Sequence, residues 1–132
     1  MTNARFINPP AMAKPPGYTH VVEITAPARI VYIAGQLGMD SAGKMAADFR
    51  GQVELAFQNL KAALDAVGAR PENIVKINNY VVEIGKNLAV FREVRDRHLN
   101  MAAPPASTTV GVPELARPGA LFEIEAVVML PA

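Results

Sequence analysis

The chain has 132 residues, of which 51% are hydrophobic and 19% are charged, and these proportions exclude an intrinsically disordered protein. A chain of this length is typical of one domain, so residues 1–132 are predicted to form a single domain. Thirteen basic residues against twelve acidic ones give a net charge of +1, which argues against a partner as strongly acidic as nucleic acid.

The absence of cysteine and the composition of the first residues bear on the compartment of the protein. Without cysteine there are no disulfides and no thiolate metal sites, which fits a reducing cytosol. The start, MTNARFINPPAMAKPPG, lacks the apolar core of a secretory signal. No segment reaches the roughly 18 to 20 consecutive apolar residues of a membrane span. We therefore expect a cytoplasmic protein that does not enter a membrane.

The first third of the chain is predicted to hold an arm and two strands. Prolines dominate the first 17 residues, so we expect an arm with at most a short edge strand around Arg5–Ile7. Val21–Ala26 and Ile30–Gly35 are rich in β-branched residues and predict two strands. Pro27–Arg29 between them has the length of a hairpin connection. Met39–Lys44 has the composition of a turn.

Two helices are predicted. The first begins at Asp48 and ends before Gly68 and Pro71, as glycine and proline commonly follow a helix. The second spans roughly Asn87–Leu99. The first carries apolar residues at steps of three and four, which form one buried stripe: Val53, Ala56, Phe57, Leu60, Ala63, Leu64 and Val67.

Three further strands complete the prediction: Ile74–Ile84, Ser107–Val112 and Leu121–Leu130. The element order is then β-β-α-β-α-β-β, with one further edge strand at the N-terminus. Two helices on one face of a mixed β-sheet make a two-layer α+β domain.

With only two helices, one face of the predicted sheet stays uncovered. In Ile74–Ile84, strict alternation places Ile74, Tyr80 and Val82 on one face and Val75, Ile77 and Val81 on the other. Since both faces carry large apolar groups, a lone domain would expose an apolar patch of the kind that marks an association surface. We expect a closed homo-oligomer assembled sheet to sheet.

Few residues are candidates for chemistry. Glu123 and Glu125 share the strand face of Leu121 and Val127, so each either pairs with a cation across strands or acts as an acid, base or water-positioning carboxylate. Tyr18 follows a rigid PPG loop and either closes a pocket or simply packs. The arginines of the second helix, Arg92, Arg95 and Arg97, are expected on a solvated face.

Metal and cofactor chemistry have no sequence support. The only histidines, His20 and His98, lack the spacing of a metal-binding pair, so we predict no metal site. The serines lie in no nucleophile motif, and the glycines form no phosphate-binding fingerprint. We therefore predict that the protein uses no cofactor.

Several segments together resemble the Rid family of reactive intermediate deaminases, also called YjgF-like. They cover nearly the whole chain in order: PPGYTHVVEI, IVYIAGQLGMDSAGKM, GQVELAFQNLKAALDAVGA, ENIVKINNYVVEI, PPASTTVGV and LFEIEAVVML. The resemblance implies a chorismate-mutase-like fold and a homotrimer with ligand clefts between subunits. It also implies, for deaminase members, cofactor-free hydrolysis of imines and enamines to keto acids and ammonia.

The resemblance assigns expected roles to three residues. Tyr18 matches the family's pocket tyrosine, and Glu123 matches the glutamate that positions the attacking water across the interface. Gly35 matches the strand-end glycine whose backbone lines the cleft, although the family's preceding serine is Ala34 here.

The chain also departs from the deaminase pattern. Ser107 stands where deaminases carry the arginine that binds the substrate carboxylate, and Thr109 stands where cysteine is common. Arg92 stands where asparagine is usual and is a candidate for the missing cation. The loss of the bidentate arginine argues against 2-imino acid deaminase activity of the RidA type.

Three functions therefore remain in competition. The first is a binding module, a trimer that holds a small carboxylate or a neutral metabolite between subunits through Tyr18, Arg92, Ser107 and Thr109. The second is hydrolysis of an imine or related metabolite, with Glu123 positioning water. The third is action on RNA, which balanced charge and a 6% aromatic content disfavour.

Overall fold

The computed structural model describes residues 3–132. The strands are β1 (Ala4–Ile7), β2 (Val21–Ile24), β3 (Ala28–Leu37), β4 (Ile74–Val82), β5 (Ala106–Val112) and β6 (Phe122–Pro131). The helices are α1 (Phe49–Ala66) and α2 (Ile84–His98), and a single 3₁₀ turn at Pro71–Asn73 precedes β4.

The strands form a four-stranded sheet of order β3-β6-β4-β5 and a separate two-stranded sheet of β1 and β2. Only β4 and β5 run parallel, and α2 is the crossover between them. Both helices pack on one face of the larger sheet, around a core that includes Phe57, Phe91 and Phe122. The predicted two-layer α+β fold is confirmed, as is the short edge strand in the N-terminal arm.

Local signals set the helix ends. The Asp48 side chain caps α1 by accepting a hydrogen bond from the Gly51 N–H. Gly68 follows α1 with a φ of 71°, a conformation that glycine adopts without strain. The second helix begins three residues earlier than predicted, because the chain turns at Glu83, whose φ is 53°, and β4 ends at Val82.

The predicted hairpin between the second and third strands is wrong. β2 pairs with β1, from Ala4 opposite Ile24 to Ile7 opposite Val21, whereas β3 pairs antiparallel with β6. The physical reason is strand length. β3 and β6 have ten residues each and β2 has four, so pairing with β6 satisfies more of the backbone N–H and C=O groups of β3.

Strict alternation along β4 also fails as a prediction. An irregularity between Ile74 and Lys76 shifts the register of β4 on β6. Ile74 therefore joins Ile77 and Val81 in the core beneath the helices, while Val75 packs on the opposite side of the sheet in a cluster with Met129 of β6.

The face of the four-stranded sheet that carries no helix is called the open face here. Val75, Val127 and Met129 on this face pack with residues of the small sheet. The remainder includes Tyr32, which is 80% exposed, together with the exposed Ile30 and Val110. An apolar surface of this kind supports the expectation of an oligomer. No helix among residues 3–132 is long and apolar enough to cross a membrane.

Candidate functional site

The residues singled out in the sequence fall into two groups on opposite faces of the four-stranded sheet. One group lines a cavity of about 200 Å³ between α2, β5 and the arm. It contains four of the predicted residues: Tyr18, Arg92, Ser107 and Thr109. The other group, Glu123 and Gly35, lies toward the open face.

Asn79 of β4 organises the floor of the cavity. It is fully buried, and its Nδ2 donates to Ser107 Oγ at 3.1 Å, to Thr109 Oγ1 at 3.0 Å and to the Thr108 carbonyl at 3.3 Å. A carbonyl can only accept, so the amide nitrogen must face β5. Both hydroxyls then accept from Asn79, and their own protons are left to donate. Asn79 Oδ1 has no hydrogen-bond partner within residues 3–132.

Arg95 is the cavity residue that the sequence analysis placed wrongly. It was expected on a solvated face, but it is only 8% exposed and lines the cavity. The apolar residues around it explain the burial, since α2 turns this side toward the arm and β5. The i, i+4 spacing of Phe91 and Arg95 was a sequence signal for a shared face.

Three contacts hold the Arg95 side chain. Its Nε donates to Asp96 Oδ1 at 3.0 Å, its Nη2 lies 2.9 Å from the same oxygen in an ion pair, and its Cζ lies 5.8 Å from the centre of the Phe91 ring. On the third side is the backbone of Gly17, where a Cβ would lie 2.7 Å from Arg95 Nη2. The φ of Gly17 is 126°, so glycine is required there for both space and conformation.

Arg92 lies at the rim of the same cavity and is exposed, as is Arg97. The expected solvated position is therefore confirmed for these two arginines. Arg97 pairs with Glu54, whereas Arg92 forms no ion pair with any residue that the structure describes.

Tyr18 lines the cavity from the arm and is half-buried. Its ring meets that of His20 edge to face at 5.2 Å between centroids. The next residue, Thr19, fixes the arm: its N–H donates to the Pro105 carbonyl at 3.2 Å and its hydroxyl to the Pro104 carbonyl. The arm is thus tied to the start of β5, next to Ser107.

Glu123 lies opposite Leu37 of β3 and Tyr80 of β4. Burial of its side chain, and secondarily the negative charge of Glu125, raise the pKa of Glu123 above its ordinary value of 4.5. Gly35 lies directly against it, since a Cβ there would lie 1.9 Å from Glu123 Oε2. Because glycine has no Cβ, position 35 provides the space that the Glu123 carboxylate occupies.

Glu125 has a different environment on the same face. Tyr80 donates its hydroxyl proton to Glu125 Oε1 at 2.8 Å, and this bond raises the pKa of Tyr80. Among residues 3–132 neither Glu123 nor Glu125 takes part in an ion pair, so the interstrand ion pair considered as an alternative is not found in this chain.

The two histidines have other partners. His20 Nε2 lies 2.7 Å from the Ala13 carbonyl. His98 Nε2 lies 2.9 Å from Glu54 Oε2, and its ring stacks on Phe57. Across the described part of the chain, no group of three potential metal ligands comes together.

The chemistry of the cavity can be stated from its atoms. It offers hydrogen-bond donors in Arg95, Ser107 and Thr109, and apolar walls in Leu88 and Phe91. Such a lining fits a small ligand with one acceptor-rich, negatively charged end. Glu123 lies on the other side of the sheet, so it can reach such a ligand only from a second copy of the chain.

Comparison with known proteins gives consistent matches over nearly the whole chain. The family model described as Endoribonuclease L-PSP matches residues 9–130. A RutC family protein of Aquifex aeolicus is 35% identical over 113 residues, which is 84% of this chain and 88% of the relative.

Two further relatives cover the chain almost completely. The 2-iminobutanoate/2-iminopropanoate deaminase of Dermatophagoides farinae is 31% identical over 98% of this chain and 99% of its own. The crystal structure of YyfB, a Rid-family protein of unknown function from Yersinia pestis, superposes with a TM-score of 0.86. The YyfB sequence is 34% identical to this one, and the superposition covers 98% of this chain and 100% of the YyfB chain.

Proposed function

Because the chain belongs to the endoribonuclease L-PSP family, also known as the Rid or YjgF family, we propose that it binds a small carboxylic acid in clefts between the subunits of a homotrimer. The observation that carries this proposal is the cavity between α2, β5 and the arm. Its polar lining consists of arginines and hydroxyls, and these suit a carboxylate.

The hydroxyls contribute because Asn79 fixes what they can do. Since Ser107 and Thr109 both accept from Asn79 Nδ2, the proton of each hydroxyl remains available to donate to a ligand. These protons suit the oxygens of an ionised acid. The ligand is small, because the cavity holds about 200 Å³.

The remaining part of the site comes from a neighbouring subunit in this proposal. Glu123 and Gly35 lie toward the open face, which also carries the exposed Tyr32. Packing of that face against the neighbour's cavity edge would bring Glu123 of one subunit toward the ligand held by Ser107 and Thr109 of another. The complete site then depends on assembly, although each chain forms the cavity by itself.

Calorimetric titration tests the binding proposal. We expect the protein to bind 2-oxobutanoate about 10-fold or more tightly than the uncharged 2-oxobutanamide. Thr109→Val should weaken binding of the acid about 3- to 10-fold, since one hydroxyl donor is lost. Thr108→Val is the matched control, because Thr108 lies on the same strand but bonds to Lys76. Equal affinities for acid and amide would contradict the proposal.

A second function, hydrolysis of 2-imino acids, is favoured by the state of Glu123. In this reaction a 2-imino acid and water give a 2-oxo acid and ammonia. Glu123 would accept a proton from the water that attacks the imine carbon and return it to the departing nitrogen. A carboxyl whose pKa is raised toward neutrality is suited to both transfers. The mite relative named 2-iminobutanoate/2-iminopropanoate deaminase supports this candidate.

Ammonia release from freshly generated 2-iminobutanoate tests the second function. If the protein is a hydrolase, Glu123→Gln should slow the reaction about 100-fold or more while binding of 2-oxobutanoate persists. Glu114→Gln changes an exposed loop carboxylate and serves as the control. A wild-type rate equal to that of the buffer leaves binding as the only activity of the site.

A further inference from the structure

We propose that Arg95 of α2, rather than a residue of β5 or the exposed Arg92, is the group that selects ligands by their carboxylate. This inference rests on the proposed function and identifies the cation that makes the cavity specific for carboxylates. It rests on the burial of Arg95, the contacts that fix its guanidinium, and the donors that those contacts leave unused.

Position separates the two arginines of the cavity. Arg95 is 8% exposed, whereas Arg92 is exposed at the rim. A charge in a partly dry cavity acts on a ligand with less screening than a charge in solvent. Arg95 therefore discriminates between charged and uncharged ligands more strongly than Arg92.

The guanidinium of Arg95 is also held in place before a ligand arrives. Asp96, the Phe91 ring and the backbone of Gly17 contact it on three sides. The entropy cost of ordering a long side chain has thus been met on folding, and a larger share of the contact energy remains for binding. An exposed arginine such as Arg92 has to be ordered by the ligand itself.

The guanidinium keeps donors for a ligand. Its bonds to Asp96 use Nε and one Nη2 proton, and among residues 3–132 no other acceptor is bonded. Three of its five N–H groups are therefore free. Together with the protons of Ser107 and Thr109 they form a set of donors that suits the two oxygens of a carboxylate.

The apolar part of the lining restricts what the carboxylate is attached to. Ile84, Leu88 and Phe91 line the same cavity and offer no hydrogen-bonding side chains. The ligand class is therefore a short-chain carboxylic acid with an apolar tail of a few carbon atoms, rather than a sugar acid or an amino acid with a charged side chain.

Calorimetric titration of three variants with 2-oxobutanoate and 2-oxobutanamide tests this assignment. Arg95→Gln should weaken binding of the acid about 10- to 100-fold and remove the preference for acid over amide. Arg92→Gln removes the other positive charge of the same cavity and tests the rival assignment; it should change affinity by less than about 3-fold. Arg95→Lys keeps the charge without the planar fork and should lose about 10-fold.

The outcomes distinguish the inference from the proposed function. If the wild type prefers the acid and Arg92→Gln removes the preference while Arg95→Gln keeps it, the assignment to Arg95 is wrong and the proposed function stands. If the wild type binds the acid and the amide equally well, both the assignment to Arg95 and the proposed function are wrong. If Arg95→Gln is unfolded at the temperature of the titration, the Arg95→Lys variant provides the test instead. Wild-type affinity of Arg95→Lys for 2-oxobutanoate would then overturn the assignment.

Discussion

At the scale of single residues, the environment rather than the residue type decides what each candidate group can do. Glu123 and Glu125 are two residues apart on one strand. Yet Glu125 accepts a hydrogen bond from the Tyr80 hydroxyl, whereas Glu123 is partly buried beside Gly35 and has no ion-pair partner among residues 3–132. The raised pKa of Glu123 is that of a carboxyl suited to proton transfer.

The pH dependence of stability follows from that raised pKa. Folded Glu123 holds its proton more tightly than the unfolded chain does, so its contribution to stability is present below about pH 4.5 and is lost as the pH rises through the raised value. Glu123→Gln stays neutral, so it should unfold at a higher temperature than the wild type at pH 8 and at the same temperature below pH 4.

Thermal unfolding followed by circular dichroism at several pH values checks this expectation. The expected result is a rise in the unfolding temperature of Glu123→Gln at pH 8 that disappears below pH 4. Glu114→Gln controls for the general effect of removing a negative charge. A difference between Glu123→Gln and wild type that is constant over the whole pH range would contradict the raised pKa.

Prediction from sequence was uneven among residues. Four residues predicted for the site lie together around one cavity: Tyr18, Arg92, Ser107 and Thr109. Arg95 and Asn79 were missed because charge and amide groups on their own predict solvent exposure. Their burial depends on neighbours that are distant in sequence: Gly17 of the arm for Arg95, and β5 for Asn79.

At the scale of elements, a single buried glutamine connects α1 to the loops that flank the sheet. Gln52 is 1% exposed, and its Nε2 donates to the carbonyls of Ala46 and Gly119 while its Oε1 accepts from the Leu121 N–H. The loop before β6 is thereby fixed to the helix, and β6 carries Glu123.

Removal of these three bonds should be costly. Gln52→Leu keeps the size of the side chain but leaves three backbone groups without partners, so we expect a loss of about 2 to 4 kcal/mol in the free energy of unfolding. Urea denaturation measures it. Gln58→Leu, an exposed position on the same helix, should change stability by less than about 0.5 kcal/mol. Equal effects at both positions would mean that the Gln52 bonds contribute little.

Elements were predicted better than the pairing between them. The apolar stripe of α1 specifies one buried face, and this local periodicity survives in the structure. Strand pairing is non-local, and the adjacency of β2 and β3 in sequence was the basis for the predicted hairpin. In the structure β3 pairs instead with β6, which has ten residues. The irregularity after Ile74 has no local sequence mark, and strict alternation therefore assigned Ile74 to the wrong face.

At the scale of the whole molecule, the open face accounts for the expectation of assembly. Tyr32 is 80% exposed, and Ile30 and Val110 are each about 40% exposed on the same face. A charge at Tyr32, the most exposed of these residues, should prevent association, because burial of an unpaired carboxylate is strongly unfavourable.

Sedimentation equilibrium of two variants checks this prediction. We expect three times the 14.1 kDa chain mass for the wild type and for Ala62→Asp, which changes an exposed position on α1. Tyr32→Asp should sediment with the mass of one chain and bind 2-oxobutanoate at least about 10-fold more weakly. A trimeric Tyr32→Asp variant would show that another surface mediates assembly.

The central claim is that a small carboxylate binds at Arg95, Ser107 and Thr109, with Glu123 supplied by a neighbouring subunit. A crystal structure of the protein with 2-oxobutanoate tests it most directly. The account predicts the carboxylate within hydrogen-bond distance of Arg95 and of both hydroxyls, with the keto carbon facing Glu123 of a second subunit. A ligand bound elsewhere, or a cavity that no neighbouring Glu123 approaches, would contradict it.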